Sequence, residues 1–306
     1  MSSPSIGARR RRPVDWGQAS LNLTRAENQT PFQRWRFDLE GREGFAQKRK
    51  TNEEYCLVLT NNHSGTTLLN IGGRVLLIED CIETSAAFVI YHIVKCSLSS
   101  PRSSGVVIFV ALSHPFSHYD RVLRKLGCNL AVHRDNKRFI FFDMLMLECQ
   151  GGNDGNVTKD GLVELFGKIQ KEVEVISSKQ ESERYVMVII DDFSLIEAAV
   201  NGTSNHGSDF LHYCRTLTSE FGSSLVILNH EDIYLGPERP LILQMEYFAD
   251  ILIKAQPLAT GVAADVHGQL TVINRNSRHL LKNSITSFQF KLNENGIECF
   301  FPGTRT

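Results

Sequence analysis

The stretch that most limits what this chain can fold into is Arg74 to Leu98, RVLLIEDCIETSAAFVIYHIVKCSL. Val75 to Ile78 is a short apolar run led in by Gly72-Gly73, the pattern of a strand buried on both faces of a parallel sheet. A helix follows, with Thr84 or Ser85 as its cap and Ala86, Ala87, Ile90, Ile93 and Val94 at helical spacing. In a phosphate-binding chain this junction carries G-x-x-x-x-G-K-[ST], because backbone N–H groups must wrap the phosphates and a lysine must neutralise them. Here the turn reads Glu79-Asp80-Cys81-Ile82-Glu83-Thr84-Ser85, with neither glycine nor lysine. Glu79, Asp80 and Glu83 stand where phosphate oxygens would lie, and like charges at a few ångströms repel. The junction has the outline of a nucleotide site without a functional P-loop.

The same strand-then-helix alternation continues downstream. Val106 to Leu112 reads as a second buried strand, followed by a helix from about His118 to Leu126 with Ser117 and Asp120 as a capping box and Gly127 as its stop. His133 to Lys137 reads as a polar turn before a third strand, Phe139 to Phe142. Thr158 caps a helix bearing Leu162, Leu165, Phe166, Ile169 and Val173. Val186 to Ile190 then runs into Asp191-Asp192, which resembles a Walker B strand whose terminal carboxylate orients Mg²⁺; many parallel strands also end in Asp to cap the next turn. After a loop or short helix over Phe193 to Gly207, Asp209 opens a helix, and Ser224 to Leu228 is a strand ending in Asn229-His230-Glu231-Asp232. Asp250 to Ile253, Gln269 to Ile273, Ser287 to Leu292 and Ile297 to Phe301 follow with short connections, the last two joined by an Asn-Gly turn. Strand-helix units followed by hairpins predict one α/β domain, a mostly parallel sheet flanked by helices and extended by C-terminal antiparallel strands.

Cys56 to Leu59 and Thr67 to Ile71 are expected to cover or edge that sheet. Residues 1–54 lack sustained periodicity and carry Arg9 to Arg12 and Lys48-Arg49-Lys50, so they read as a basic, disordered extension, a candidate import or transit signal. The domain is expected over 55–306. A formal net charge of −1 excludes bulk polyanion binding and leaves only local patches. Seven singly scattered cysteines without C-x-x-C spacing point to reduced thiols in the cytoplasm or nucleus, and no apolar run approaches the length of a membrane span.

Four stretches carry a more specific likeness: VLLIEDCIETSAAFVIYHIVKCSL, HPFSHYDRVLRKLGCNL, DFLHYCRTLTSEFGSSLVILNHEDIY and LILQMEYFADILIKAQPLATGVAADVHGQLTV. Over about Tyr55 to Gly303 the chain resembles the family of sixth subunits of the Elongator complex, in a plant-like version. The resemblance implies a RecA-like subunit lacking Walker motifs. It implies a heterohexameric ring with the fourth and fifth Elongator subunits, which binds tRNA and assists wobble-uridine modification. It implies no catalytic residue and no cofactor.

In such a ring the contact surfaces are candidates for function. The acidic turn Glu79, Asp80 and Glu83 is a candidate acceptor for a neighbouring subunit's arginine or lysine. Arg239 is the strong cation of the loops at Phe193 to Gly207 and Glu231 to Pro240, and Arg275, Arg278, His279 and Lys282 form a local basic cluster able to meet phosphates, or an ordinary solvated loop. Asp191 and Asp192 are expected to be structural. Two readings from other classes stand beside this one. One is a metal-dependent hydrolase using Asp191, Asp192, His230 and Asp232 at the sheet's carboxyl edge. The other is a recombinase-like DNA-binding ring component. His114, His118, His230 and Asp232 fit no metal spacing, which favours hydrogen-bonding histidines.

Overall fold

Strand β3 (Val75–Asp80) is buried at every position, including its two terminal carboxylates. A computed structural model of the chain describes residues 70–99, 105–145, 161–178, 185–199, 205–234, 241–259, 261, 265–275, 284–293 and 297–302 in full. It describes the backbone alone of 56–61, 65–69, 156–160, 200, 240 and 296. The basic segment 1–54 lies outside the described residues.

Ahead of β3, β1 (Cys56–Asn61) and β2 (Gly65–Asn70) pair antiparallel as a two-stranded sheet of their own, so they do not edge the main one. After it come α1 (Ala87–Ser99), β4 (Val106–Ala111), α2 (Phe116–Lys125), α3 (Leu130–Asp135), β5 (Phe139–Asp143) and α4 (Asn156–Ser178). Next are β6 (Val186–Ile190), α5 (Phe193–Val200), α6 (His206–Glu220), β7 (Ser224–His230), a 3-10 turn at Glu231–Ile233 and α7 (Pro240–Phe248). The chain closes with β8 (Ile251–Gln256), β9 (Gly268–Asn274), β10 (Ser284–Asn293) and β11 (Gly296–Phe300).

Nine strands form one sheet in the order β11-β10-β9-β8-β3-β7-β6-β4-β5. The six from β8 to β5 are parallel, and β9, β10 and β11 add antiparallel strands at one side. This is a RecA-like sheet with a C-terminal antiparallel extension. The chain leaves β3 for β4, three places away, and refills the gap with β6 and β7. Strand order therefore reverses beside β3, and ligands of open α/β sheets bind in the crevice beyond such a point.

Side chains alternate between the two faces. Leu76, Ile78, Phe109, Ile189 and Val226 pack in one cluster with Val89, Ile90 and Ile93 of α1 and Tyr119 and Leu123 of α2. The alternate set, including Leu77, Ile108, Val188 and Ile227, is buried on the other face, where Leu165, Phe166, Phe210 and Leu211 of α4 and α6 are also fully buried.

Three local expectations are corrected. Helix α2 starts at Phe116 with Pro115 in the cap position and no side-chain cap, while Asp120 pairs instead with Arg124 at 2.6 Å, so Ser117 and Asp120 form no capping box. The expected turn at His133 to Lys137 overlaps helix α3, capped by Asn129, whose side chain accepts from Val132 N at 3.4 Å. Six residues are too few to show helical periodicity. Helices α4 and α6 begin at Asn156 and His206, ahead of the expected Thr158 and Asp209.

Phe109 is buried at the centre of the aromatic packing, with its ring centroid 4.7 Å from Tyr119 and 5.8 Å from Phe139. Phe109→Ala is expected to cost about 3–5 kcal/mol of stability in urea unfolding. A loss below about 1 kcal/mol would mean that this cluster is not close-packed.

Candidate functional site

The site lies where β3 ends. Parallel pairing with β7 sets Asp80 beside His230 and Glu79 beside Asn229, and pairing with β8 sets Glu79 beside Lys254. Glu79 and Asp80 are consecutive, so they point to opposite faces.

Asp80 faces α1. Its Oδ2 accepts from Ala86 N at 2.6 Å, and its Oδ1 is bonded to His230 Nδ1. His230 Nε2 in turn lies 3.2 Å from Asp192 Oδ2. Bonds to Asp192 and Asp80, working against partial burial, push the imidazole up to about 10, so it is a cation at neutral pH. Ala86 is the residue just before α1, where N–H groups attract anions. Asp80 therefore holds, from inside the protein, the kind of donor that a phosphate loop aims at its ligand, and His230 supplies the positive charge.

Three further N–H groups around the turn also meet acceptors within the chain. Ile82 N donates to Asp232 Oδ2 at 2.7 Å, Thr84 N to Cys81 O at 2.9 Å, and Ala87 N to Ser85 Oγ at 3.3 Å. The antiparallel extension braces it: a Cβ at Gly268 would lie 2.8 Å from Gln256 O and 2.9 Å from Thr84 Cγ2. Only glycine permits this approach.

On the opposite face, Lys254 Nζ lies 2.7 Å from Glu79 Oε2, 2.6 Å from Glu246 Oε1 and 3.2 Å from Glu231 Oε1. Its well-directed hydrogen bonds go to Glu246 and Glu231, and the Glu79 contact is close but poorly directed, with Glu79 Oε1 receiving no donor. Glu79 has lost all its water and shares one cation with two other carboxylates. Burial accordingly pushes it up to about 8, against the pull of Lys254. The carboxylates in turn hold the Lys254 ammonium above its ordinary value despite its burial.

The two aspartates after β6 have separate tasks. Asp191 accepts from Leu112 N at 2.7 Å, from Ser113 N at 3.2 Å and Oγ at 2.9 Å, and from the Tyr119 hydroxyl. It ties the end of β4 to α2, and burial raises its carboxyl in spite of these donors. Asp192 accepts from Ser194 N at 3.1 Å and from the Ser194 hydroxyl, besides meeting His230.

The acidic turn read from the sequence is thus divided. Glu79 and Asp80 are fully buried, Asp80 held by Ala86 N and His230 and Glu79 facing Lys254, and Glu83 is exposed. Arg275 directs Nη1 to the carbonyls of Glu246 and Ala249 at the end of α7. Arg239, Arg278, His279 and Lys282 lie outside the described residues. Sequence reasoning missed Lys254, Tyr119 and Ser113. Lys254 had a visible signal, a lone charge in the apolar strand ILIKAQ, which must find partners when buried.

Fold and site together define a mixed α/β protein, its mostly parallel sheet flanked by helices, whose turn between β3 and α1 is held by acceptors from within the chain. The family model for Elongation complex protein 6 matches residues 56–294, and the chain belongs to that family. It is 27% identical to human Elongator complex protein 6 over 252 residues, covering 76% of this chain and 91% of that one. The Xenopus laevis protein of the same name is 28% identical, with 78% and 93% covered, and the Dictyostelium discoideum one 22%, with 80% and 95% covered. Among solved structures, an uncharacterised Pyrococcus horikoshii protein in complex with an unknown peptide superposes with a TM-score of 0.53 at 12% identity. That match covers 76% of this chain and 93% of the archaeal one, a likeness of fold alone.

Both charge clusters give a pH signature. His230 is raised above its unfolded value of 6.5, so its stabilising effect is complete below pH 6.5 and is lost as pH rises through about 10. The stability difference between wild type and His230→Gln, measured by urea unfolding at stepped pH, should close over that window; a constant difference would contradict the pairing. Glu79 is raised from 4.5 to about 8, so its charged form costs stability increasingly over that range. Glu79→Gln should gain on wild type as pH rises from 4.5 to 8, and a variant that loses ground would show the Lys254 pair to be net stabilising.

Proposed function

We propose that this chain is an accessory, non-catalytic subunit of a RecA-like heterohexameric ring built with the fourth and fifth Elongator subunits. The ring binds tRNA and supports wobble-uridine modification by the Elongator complex, in the cytoplasm and nucleus. Residues 55–306 form the ring domain, and 1–54 are a basic extension. Family membership supports the complex. The observation that carries the non-catalytic role is the closed turn, in which Ile82, Thr84, Ala86 and Ala87 N–H groups all have protein acceptors. A phosphate would have to displace Asp80 from both Ala86 and an imidazolium, leaving a buried carboxylate without its donors.

The ring contact is assigned to the exposed side of the same edge. Ile82 is 91% exposed and Tyr247 86%, with Leu243 and Ile233 also exposed on α7 and after β7. Glu83 and Asp232 are exposed beside them. An apolar set with an acidic border suits a neighbouring subunit that brings an apolar anchor and an arginine or lysine. Charge reversal at Glu79 or Asp80 would unfold the edge rather than test the interface, because both are buried.

The hydrolase reading finds little support. Asp191 and Asp232 hold backbone N–H groups, His230 lies between two aspartates, and among the described residues no three His, Cys, Asp or Glu side chains converge as metal ligands. The recombinase-like reading has no feature of its own in the described residues.

Size-exclusion chromatography with light scattering, on the full chain mixed with the fourth and fifth subunits, tests the ring. A hexamer is expected, with Ile82→Asp and Glu83→Lys shifting it toward smaller species at low concentration. A wild-type chain that stays monomeric with both partners would sink the reading.

A further inference from the structure

We propose that the solvent face of α2 and α3 is a docking surface for the phosphate backbone of RNA. The inference rests on the tRNA-binding ring and gives this chain its own share of the contact. Between His114 and Arg138 the sequence has six Lys or Arg and two Asp, in a chain whose net charge is −1. The structure gathers most of that charge outward. On α2 the exposed positions are Ser117, Arg121, Arg124 and Lys125, with no carboxylate among them, and Arg134 and Lys137 are exposed on and just beyond α3. Of the two acids, Asp120 is largely buried and neutralises Arg124, while Asp135 is exposed next to Arg134. Arg121, Lys125 and Lys137 have no ion-pair partner among the described residues.

Attraction to the helix dipole accounts for Arg124 and Lys125 in the last turn of α2. It accounts equally for Arg134 in the last turn of α3, whose guanidinium lies 4.3 Å above the Phe116 ring, but not for Arg121 a turn earlier or for Lys137 beyond α3. At 1.5 Å rise per residue, Arg121 and Lys125 are about 6 Å apart along the helix, commensurate with a strand bearing one charge per ~3.4 Å. At the other end of α2, His114 and His118 stack with ring centroids 4.1 Å apart, flat surfaces of the kind on which unpaired bases lie. Burial, His114 and Arg121 together lower the His118 imidazole, and a bound phosphate would relieve that crowding of positive charge.

An acidic protein is the competing partner, but protein interfaces are built around buried apolar anchors. Among the described residues, the exposed large apolar side chains include none on α2, and only Val132 on α3. Four of the others, Ile82, Ile233, Leu243 and Tyr247, lie on the turns after β3 and β7 and on α7, whereas α2 and α3 flank β4 and β5 at the far side of the parallel strands. The ring edge and the basic face are different surfaces.

The full chain is assembled with its two ring partners, and binding of mixed tRNA is followed by fluorescence anisotropy from about 50 to 200 mM KCl. The variant Arg121→Glu, Arg124→Glu, Lys125→Glu should leave assembly intact, weaken binding at least tenfold at the lowest salt, and flatten the dependence of log K on log[salt] by about 2. A neutral second variant, Lys125→Gln with Lys137→Gln, should flatten it by about 1. Wild-type and variant rings that bind tRNA equally would overturn the proposal while leaving the ring reading standing. A ring that assembles but does not bind tRNA would remove both the tRNA role and this inference. Loss of assembly in the neutral variant would assign the face to a protein partner and overturn the proposal.

Discussion

One carboxylate, that of Asp80, connects the three elements that make the centre of this fold. It closes the amino end of α1 through Ala86, and it reaches β7 through His230 and thereby Asp192 after β6. An anion at a helix N-terminus is favourable, and a buried anion needs a cation nearby; both conditions are met inside the chain. In a phosphate-binding relative of this architecture the same two conditions are met by the nucleotide and a lysine. Here the Asp80 carboxylate takes the helix N–H group and the cation itself, which is the basis of the proposal that the turn holds no phosphate.

A second ionic group on the opposite face repeats the logic less tidily. Lys254 is shared among Glu79, Glu231 and Glu246, so that three carboxylates depend on one ammonium and Glu79 Oε1 receives no donor. Burial of this kind is weak evidence of stabilisation, since removal of charges from water costs as much as their attraction returns. What it does fix is register: β3, β8, α7 and the turn after β7 meet at one ammonium, and the exposed Ile82, Leu243 and Tyr247 are carried on segments that it joins.

Much of this was legible in the residues. The apolar run at Val75 to Ile78, the Asp-terminated strand at Val186 and the Asn-Gly hairpin each state their geometry locally, and their order gives the mixed sheet. Short helices were not legible, because α3 has fewer than two turns, and Pro115 at the start of α2 hides behind a plausible but unused Ser-Asp pair. In the site, the missing glycine and lysine were visible, but the direction of the carboxylates was not. Period-two alternation sends Glu79 and Asp80 apart, and their partners Lys254 and His230 lie more than a hundred residues away, where only the strand order brings them close. The basic face of α2 was equally open to reading as ordinary helix surface until exposure separated its cations from its acids.

The central claim is that the phosphate position is taken by Asp80 and its imidazolium. The most direct measurement is calorimetric titration of the full chain, on its own, with Mg²⁺-ATP. The account predicts no saturable heat up to about 1 mM nucleotide. Saturable binding with a micromolar constant would contradict it, since the N–H groups of the turn would then have to release their protein acceptors to a phosphate.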